Sequence, residues 1–143
     1  MGMTGVSFYV EGQPVPKARA RTVRKGGKTW SFTPKRVAEW EKAVSVEAEK
    51  FFEEPLNGPL GIELTFYMRR PKSRRKETWV STTPDLDNLE KAVLDGLSGV
   101  VYTDDRLVVW KRSEKRYVIS GVPRVEVLVV DLVDQRSLEG FME

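Results

Sequence analysis

The sequence contains neither cysteine nor histidine, and these two absences narrow its chemistry before any motif is considered. Without cysteine there are no disulfides, thiolate nucleophiles or sulfur-bound zinc sites. Without histidine, the commonest metal ligand and a frequent general base are missing. If the protein is an enzyme, its carboxylates, lysines and hydroxyl groups must carry the reaction. Carboxylate sites without sulfur or imidazole favour hard cations such as Mg²⁺ or Mn²⁺ over zinc.

Long apolar runs are also absent from the 143 residues. No segment approaches the roughly 20 apolar residues that span a bilayer, and the N-terminal stretch lacks the basic and apolar regions of a signal peptide. We therefore expect a cytoplasmic protein with no membrane association. The chain length and its 40% hydrophobic content predict a single domain over residues 1–143.

The basic residues are unevenly distributed, although the formal net charge is only +3. The first basic segment, residues 17–36, holds eight Lys or Arg and no acid, and the second, residues 69–76, holds six and no acid. The rest of the chain is correspondingly acidic. Either segment alone is compatible with a solvated loop. Two of them in a chain that also groups its aspartates favour a polyanionic partner whose phosphates they neutralise.

The hydrophobic spacing predicts the order strand, helix, strand, helix, strand, strand. This order indicates an α+β fold with helices on one side of a mixed β-sheet. The predicted strands cover residues 6–10, 61–70, 106–119 and 123–132, and the last two form a hairpin around Gly121. The predicted helices cover residues 34–53, with Thr33 as N-cap and Pro34 first, and residues 86–97. The first basic segment is a loop or irregular hairpin with residues 28–32 as return strand, and residues 133–143 are a short helix or a frayed tail.

Two aspartates, Asp85 and Asp87, stand at the predicted start of the second helix. Either one alone is explained as a helix cap that the helix dipole favours. A second carboxylate in the same turn weakens that explanation, because one cap suffices and close carboxylates repel unless a cation lies between them. Lys91 and Asp95 follow at four-residue intervals, which also fits a solvent-facing ion-pair ladder, and we expect Asp95 to be structural. Asn88 is a candidate supporting donor.

A second aspartate pair, Asp104 and Asp105, follows the helix in a predicted turn, where aspartate is common. One of them approaches Asp85 and Asp87 within one chain if the next strand pairs beside the helix start. A symmetric dimer achieves the same between chains, and both arrangements remain open. Three carboxylates around hard cations suit phosphodiester hydrolysis, and a nearby lysine can stabilise charge on the phosphate.

Residues 84–105, PDLDNLEKAVLDGLSGVVYTDD, resemble the signature of the RusA family of Holliday-junction resolvases. Residues 12–21, GQPVPKARAR, are similar to the proline-and-basic opening of that family. The resemblance implies that Asp85, Asp87 and Asp105 bind Mg²⁺ or Mn²⁺, that Asp104 supports them, and that Lys91 is the essential catalytic lysine. It also implies a bacterial or phage-encoded homodimer that resolves four-way DNA junctions by paired symmetric cuts in recombination and repair, without a small-molecule cofactor.

By the same resemblance, the two basic segments grip the arms of the junction. Some family members carry a basic residue directly before the first aspartate, where this chain has Pro84. The predicted DNA contacts are Lys17, Arg19, Arg21, Arg24, Lys25, Arg69, Arg70, Lys72, Arg74, Arg75 and Lys76, and the last three are candidates for the contact missing at Pro84.

Three alternatives stay open at the level of the sequence. A non-catalytic DNA-binding module of the same fold predicts salt-sensitive binding without cleavage. A nuclease for flaps, forks or RNA differs from a junction resolvase only in its relative rates on these substrates. A protein-interaction domain, whose charges merely keep it soluble, predicts no affinity for DNA even at low salt.

Overall fold

The computed structural model describes residues 4–18 and 21–133. The elements follow in this order: β1 (Thr4–Glu11), β2 (Arg21–Lys25), β3 (Lys28–Phe32), α1 (Lys35–Glu49), β4 (Leu60–Met68), α2 (Leu86–Leu97), β5 (Val108–Tyr117) and β6 (Arg124–Asp131). Two short 3-10 turns cover Lys72–Arg74 and Asp105–Leu107. Apart from residue 133, the predicted tail lies outside the described residues, and the assignment of residues 1–143 to one domain stays a prediction.

The main sheet has four strands in the order β1-β6-β4-β5, and it is mixed because only the pair β4–β5 is parallel. The α+β fold with a mixed sheet and two helices is therefore confirmed. The hairpin β2–β3 forms a separate two-stranded sheet inside the first basic segment, so of the two predicted forms, a loop or an irregular hairpin, the structure has a hairpin.

The predicted hairpin between the last two strands was wrong, because β4 lies between β5 and β6. Periodicity identifies a strand but carries no information about its neighbour. Residues 118–123 need to cross only about 10 Å, twice the spacing of adjacent strands, which a short loop spans easily. The parallel pairing of β4 with β5 matters for function because it brings β5 beside the start of α2.

One face of the sheet and both helices form a continuous core. Alternate residues of β4 are buried beneath the helices, as the sequence predicted for Ile62, Leu64, Phe66 and Met68. The helices contribute the buried residues Val37, Trp40, Val44 and Ala48 of α1 and Leu89, Ala92, Val93 and Leu97 of α2. Among the described residues, no helix is both long enough and apolar enough to cross a bilayer.

The bounds of α2 agree with the predicted residues 86–97, whereas α1 is shorter than predicted at both ends. Pro34 is the N-cap rather than the first helical residue, and it has an extended ψ of 143° with no side-chain capping bond. At the other end, Phe51 stacks on Phe8 of β1 with ring centroids 5.3 Å apart. The helix thus ends at Glu49, before the predicted end at Glu53, and Phe51 beyond it packs on the sheet.

The close crossing of α1 and α2 depends on Gly96. A Cβ atom at this position would lie 2.8 Å from the backbone carbonyl oxygen of Glu41 and 2.9 Å from the Cβ of Val44. Alanine favours a helix over glycine by about 1 kcal/mol, but forcing the helices apart costs about 1–3 kcal/mol. We expect Gly96→Ala to lower the free energy of unfolding in urea titration. A more stable variant would show that the helices separate freely and would contradict this packing.

Candidate active site

The first two aspartates stand at the N-terminus of α2 with exposed carboxylates. Asp85 occupies the N-cap position with an extended ψ of 143°, but its side chain makes no capping hydrogen bond. Asp87 lies in the first turn, where its Oδ1 accepts the neighbouring Asn88 N–H at 3.1 Å. Within residues 4–18 and 21–133, neither carboxylate forms an ion pair. The capping explanation therefore does not account for Asp85, and both carboxylates are exposed to solvent.

The loop that leads into Asp85 is held by a lysine that sequence reasoning missed. Lys115 lies on β5, and its Nζ donates to the carbonyl oxygens of Thr82 and Pro84, each at 2.8 Å. The ammonium thus fixes the residue directly before Asp85. No local pattern marks Lys115, because only the parallel pairing of β5 with β4 brings this position beside the loop.

Lys91 lies one turn after Asp87 on the same helical face. Its Nζ is 2.9 Å from Asp95 Oδ1, and its side chain remains 55% exposed. The hydrogen bond to Asp95 raises the pKa of Lys91 above its ordinary value. Of the ladder considered from the sequence, the pair of Lys91 with Asp95 is present, whereas Asp87 forms no ion pair among the described residues, and Lys91 still presents half of its surface to solvent.

Lys17 was a predicted DNA contact, but in the structure its side chain forms ion pairs within the protein. Its Nζ lies 2.7 Å from Glu41 Oε2 and 3.0 Å from Asp95 Oδ2. Burial lowers the pKa of Lys17, but the hydrogen bonds to Glu41 and Asp95 outweigh burial and raise it overall. Lys17 thus differs from Arg24 and Lys25 of the first basic segment, which are exposed.

The two aspartates of the second pair, Asp104 and Asp105, have different surroundings. Asp104 caps the 3-10 turn by accepting the Arg106 N–H at 2.9 Å, and its Oδ2 lies 3.7 Å from Arg106 Nε. Asp105 is exposed and lines a cavity of about 360 Å³ together with Lys91 and Tyr102. Among the two, Asp105 is the residue that faces the lysine.

Tyr102 is a further residue of this cavity that the sequence analysis did not single out. Its ring is fully buried, and its hydroxyl donates to the backbone carbonyl of Leu94 at 2.6 Å. Burial and the nearby negative charge of Asp105 raise the pKa of Tyr102, so the hydroxyl stays protonated. Because its single hydroxyl proton is donated to Leu94, Tyr102 forms a fixed wall of the cavity beside Asp105.

Lys91 connects the two pairs of aspartates, because it follows Asp87 on α2 and lines the same cavity as Asp105. Among the described residues, however, no group of three or more carboxylates lies close enough together to hold a metal ion. The donors themselves fit Mg²⁺ or Mn²⁺, since they are exposed carboxylate oxygens. The described chain thus offers Asp85 and Asp87 from one helix turn, and it does not bring Asp105 into a three-carboxylate group with them.

The two basic segments differ in how many of their side chains are free to meet DNA. In the first, Arg24 and Lys25 are exposed next to the tip of the hairpin β2–β3, while Arg19 and the side chain of Arg21 lie outside the described part. In the second, Arg70 donates to the carbonyl oxygens of Arg74, Arg75, Glu77 and Val118.

Arg70 therefore organises the second basic segment rather than extending from it. Arg74 forms an ion pair with Glu77 at 2.9 Å. The remaining cations of this segment are exposed: Arg69, Lys72, Arg75 and Lys76.

A histidine-free site of exposed aspartates and one lysine, flanked by basic loops, is typical of nucleases that act through hard cations. The family model described as endodeoxyribonuclease RusA matches residues 11–130. The chain therefore belongs to the RusA family of endodeoxyribonucleases, as its signature predicted.

Two relatives are similar to the chain. The chain is 32% identical over 139 residues to the uncharacterized protein YqaN of Bacillus subtilis (strain 168), a match that covers 89% of this chain and 96% of that protein. It is 31% identical over 77 residues to the crossover junction endodeoxyribonuclease rusA of Lactococcus phage r1t, which covers 53% of this chain and 57% of the phage protein.

Proposed function

We propose that this protein is a Mg²⁺-dependent endodeoxyribonuclease that resolves four-way DNA junctions by paired symmetric cuts as a homodimer. The observation that carries the proposal is the position of Lys91, which follows Asp87 on one helical face and shares a cavity with Asp105. Family membership and the similarity to a phage crossover junction endodeoxyribonuclease support the substrate class. Mn²⁺ is the alternative cation, and the cytoplasmic location stays a prediction.

In this proposal, Asp85 and Asp87 would hold the cation, and Asp105 would complete the set when the homodimer or the bound metal brings it to them, because the described residues group no three carboxylates by themselves. Asp104 would support Asp105 through the turn that it caps. When bound, the cation supplies an activated water and charge stabilisation at the scissile phosphate. Lys91 donates to a non-bridging phosphate oxygen, where negative charge develops during cleavage. Lys115 keeps the loop before Asp85 in place through two carbonyl oxygens, so that the first ligand does not have to be ordered when DNA binds.

A cleavage assay with metal titration tests the proposal directly. A synthetic four-way junction should be nicked at two symmetric positions when Mg²⁺ is added, and EDTA should abolish cutting. Sedimentation of the active protein should give twice the 16.3 kDa mass of the chain. Junction binding without cutting in any divalent metal would instead support the non-catalytic DNA-binding module.

The exposed cations of the second basic segment should contribute affinity rather than chemistry. We expect the double variant Arg75→Ala, Lys76→Ala to weaken junction binding and to lower the slope of log affinity against log salt by about two, close to one per lost phosphate contact. The cleavage rate at saturating protein should change little. The control is Lys50→Ala, which removes an exposed cation paired with Glu47 on α1. An unchanged salt slope in the double variant would place these side chains away from DNA.

Nucleases for flaps, forks or RNA remain the second candidate, because the same metal chemistry cuts any phosphodiester. Rates on junction, fork, flap, duplex and RNA substrates of equal length separate these possibilities. The proposal predicts the highest rate on the four-way junction. A pure binding module is disfavoured by the exposed carboxylates of Asp85 and Asp87, since negative charge facing phosphates weakens binding.

A further inference from the structure

We infer that Lys17 and Asp95 are positioning residues for Lys91, with Lys17 bracing Asp95 and Asp95 holding the Lys91 ammonium beside the cavity. The inference rests on the proposed function, in which Lys91 is catalytic. It assigns Lys17 a role different from that of the DNA contacts in the same basic segment.

The contacts form one continuous chain of charges. Lys17 Nζ lies 2.7 Å from Glu41 Oε2 and 3.0 Å from Asp95 Oδ2, and Lys91 Nζ lies 2.9 Å from Asp95 Oδ1. Each oxygen of Asp95 thus receives a different ammonium group. This arrangement fixes the rotation of the carboxylate, and with it the direction from which Lys91 is held.

Lys17 is itself anchored by more than its ammonium. Its backbone N–H donates to the Asn88 carbonyl at 2.8 Å, in the first half of α2. The Lys17 side chain also reaches Glu41 on α1. The N-terminal loop therefore contacts both helices. Because Lys17 is held by α1 and α2 together, its ammonium group has a fixed position relative to Asp95.

The burial of the network matches a positioning role. The side chains of Lys17, Glu41 and Asp95 are 26%, 21% and 23% exposed, whereas Lys91 is 55% exposed. An ammonium has three donors, so Lys91 can keep its bond to Asp95 and still donate to a phosphate. An ordinary surface ion pair between two residues of one helix needs no second cation from another part of the chain. The bond from Lys17 to Asp95 therefore distinguishes this pair from a solvent-facing one.

Charge balance supports the same reading. Burial alone would raise the pKa of Asp95, but hydrogen bonds from Lys91 and Lys17 outweigh it and hold that pKa below its ordinary value. Asp95 therefore stays ionised between the two lysines. Without this carboxylate the two ammonium groups would repel, and Lys91 would move away from its present direction.

The test measures single-turnover cleavage of a four-way junction at saturating protein, together with junction affinity. Asp95→Asn and Lys17→Met should each slow cleavage by about tenfold or more, because a displaced donor loses its alignment with the phosphate. Junction affinity and its salt slope should remain those of the wild type. Lys17→Arg, which keeps the charge, should recover most of the rate.

A double-mutant cycle separates positioning from general destabilisation. If Asp95 acts only through Lys91, adding Asp95→Asn to Lys91→Met should cause no further loss of rate. A merely structural effect would add to the loss from Lys91→Met. Circular dichroism and thermal melting confirm that each variant is folded at the assay temperature.

Matched lysine variants complete the design. Lys25→Met, at an exposed predicted DNA contact, should lower junction affinity and the salt slope, whereas Lys50→Met should change neither affinity nor rate. If Lys17→Met lowers affinity and salt slope as Lys25→Met does, Lys17 is a DNA contact and the inference is overturned. Additive losses in the cycle, or unaffected cleavage by Asp95→Asn, overturn it as well. A wild type that cuts no branched DNA overturns the proposed function and this inference together.

Discussion

Asp87→Asn is expected to bind four-way junctions at least as tightly as the wild type and to cut them roughly 10³-fold more slowly. The substitution keeps the shape of the side chain and removes the charge that holds a cation. Asp87 is exposed, and among the described residues its carboxylate accepts one hydrogen bond, from the neighbouring Asn88 N–H, so the substitution leaves no buried partner there unsatisfied. Removing a negative charge near the bound phosphates should also raise affinity slightly.

The measurement is junction affinity in Ca²⁺ or EDTA beside the single-turnover rate in Mg²⁺. Glu39→Gln is the control, because it neutralises an exposed carboxylate on α1 that is paired only with Lys35 at 3.8 Å. This control should cut at the wild-type rate. Normal cutting by Asp87→Asn would remove Asp87 from the metal site and would require another set of ligands.

Lys91→Met is expected to slow cleavage by roughly 10²–10³-fold while leaving the Mg²⁺ requirement unchanged. The reason is that Lys91 meets charge on the phosphate in the transition state and does not hold the cation. Methionine keeps the length and packing of the lysine stem but has no ammonium group that could donate a hydrogen bond. The cavity that Lys91 shares with Asp105 and Tyr102 should therefore keep its shape.

Metal titration distinguishes this variant from the aspartate variants. The half-saturating Mg²⁺ concentration should stay constant in Lys91→Met and should rise in Asp85→Asn. Lys91→Arg should retain part of the activity, since it keeps the charge but changes the geometry of donation. A large increase in the metal requirement of Lys91→Met would mean that the lysine organises the ligands rather than the phosphate.

The sequence was most informative where a local pattern has one structural solution. The spacing of Leu89, Val93 and Leu97 determines α2, and the alternation in β4 determines which of its faces is buried, because both periodicities follow directly from backbone geometry. The run from Pro84 to Asp105 likewise identified the family before any contact was known.

The sequence failed where the answer depends on which elements become neighbours. The pairing of β4 with β5 separates the last two strands and brings Lys115 to the loop before Asp85. Lys17 looked like its basic neighbours, and only the docking of its loop between α1 and α2 gives it two carboxylate partners.

By itself, the sequence determined the family, the absence of histidine and cysteine chemistry, and the candidate set of four aspartates and Lys91. Tertiary structure decided how these candidates differ. Asp104 is used as the cap of a turn while Asp105 faces the cavity, and Lys91 is held by an aspartate that a second lysine braces. The physical reason is that charge and hydrogen-bonding capacity belong to a residue type, whereas the partner that takes them up is set by long-range packing.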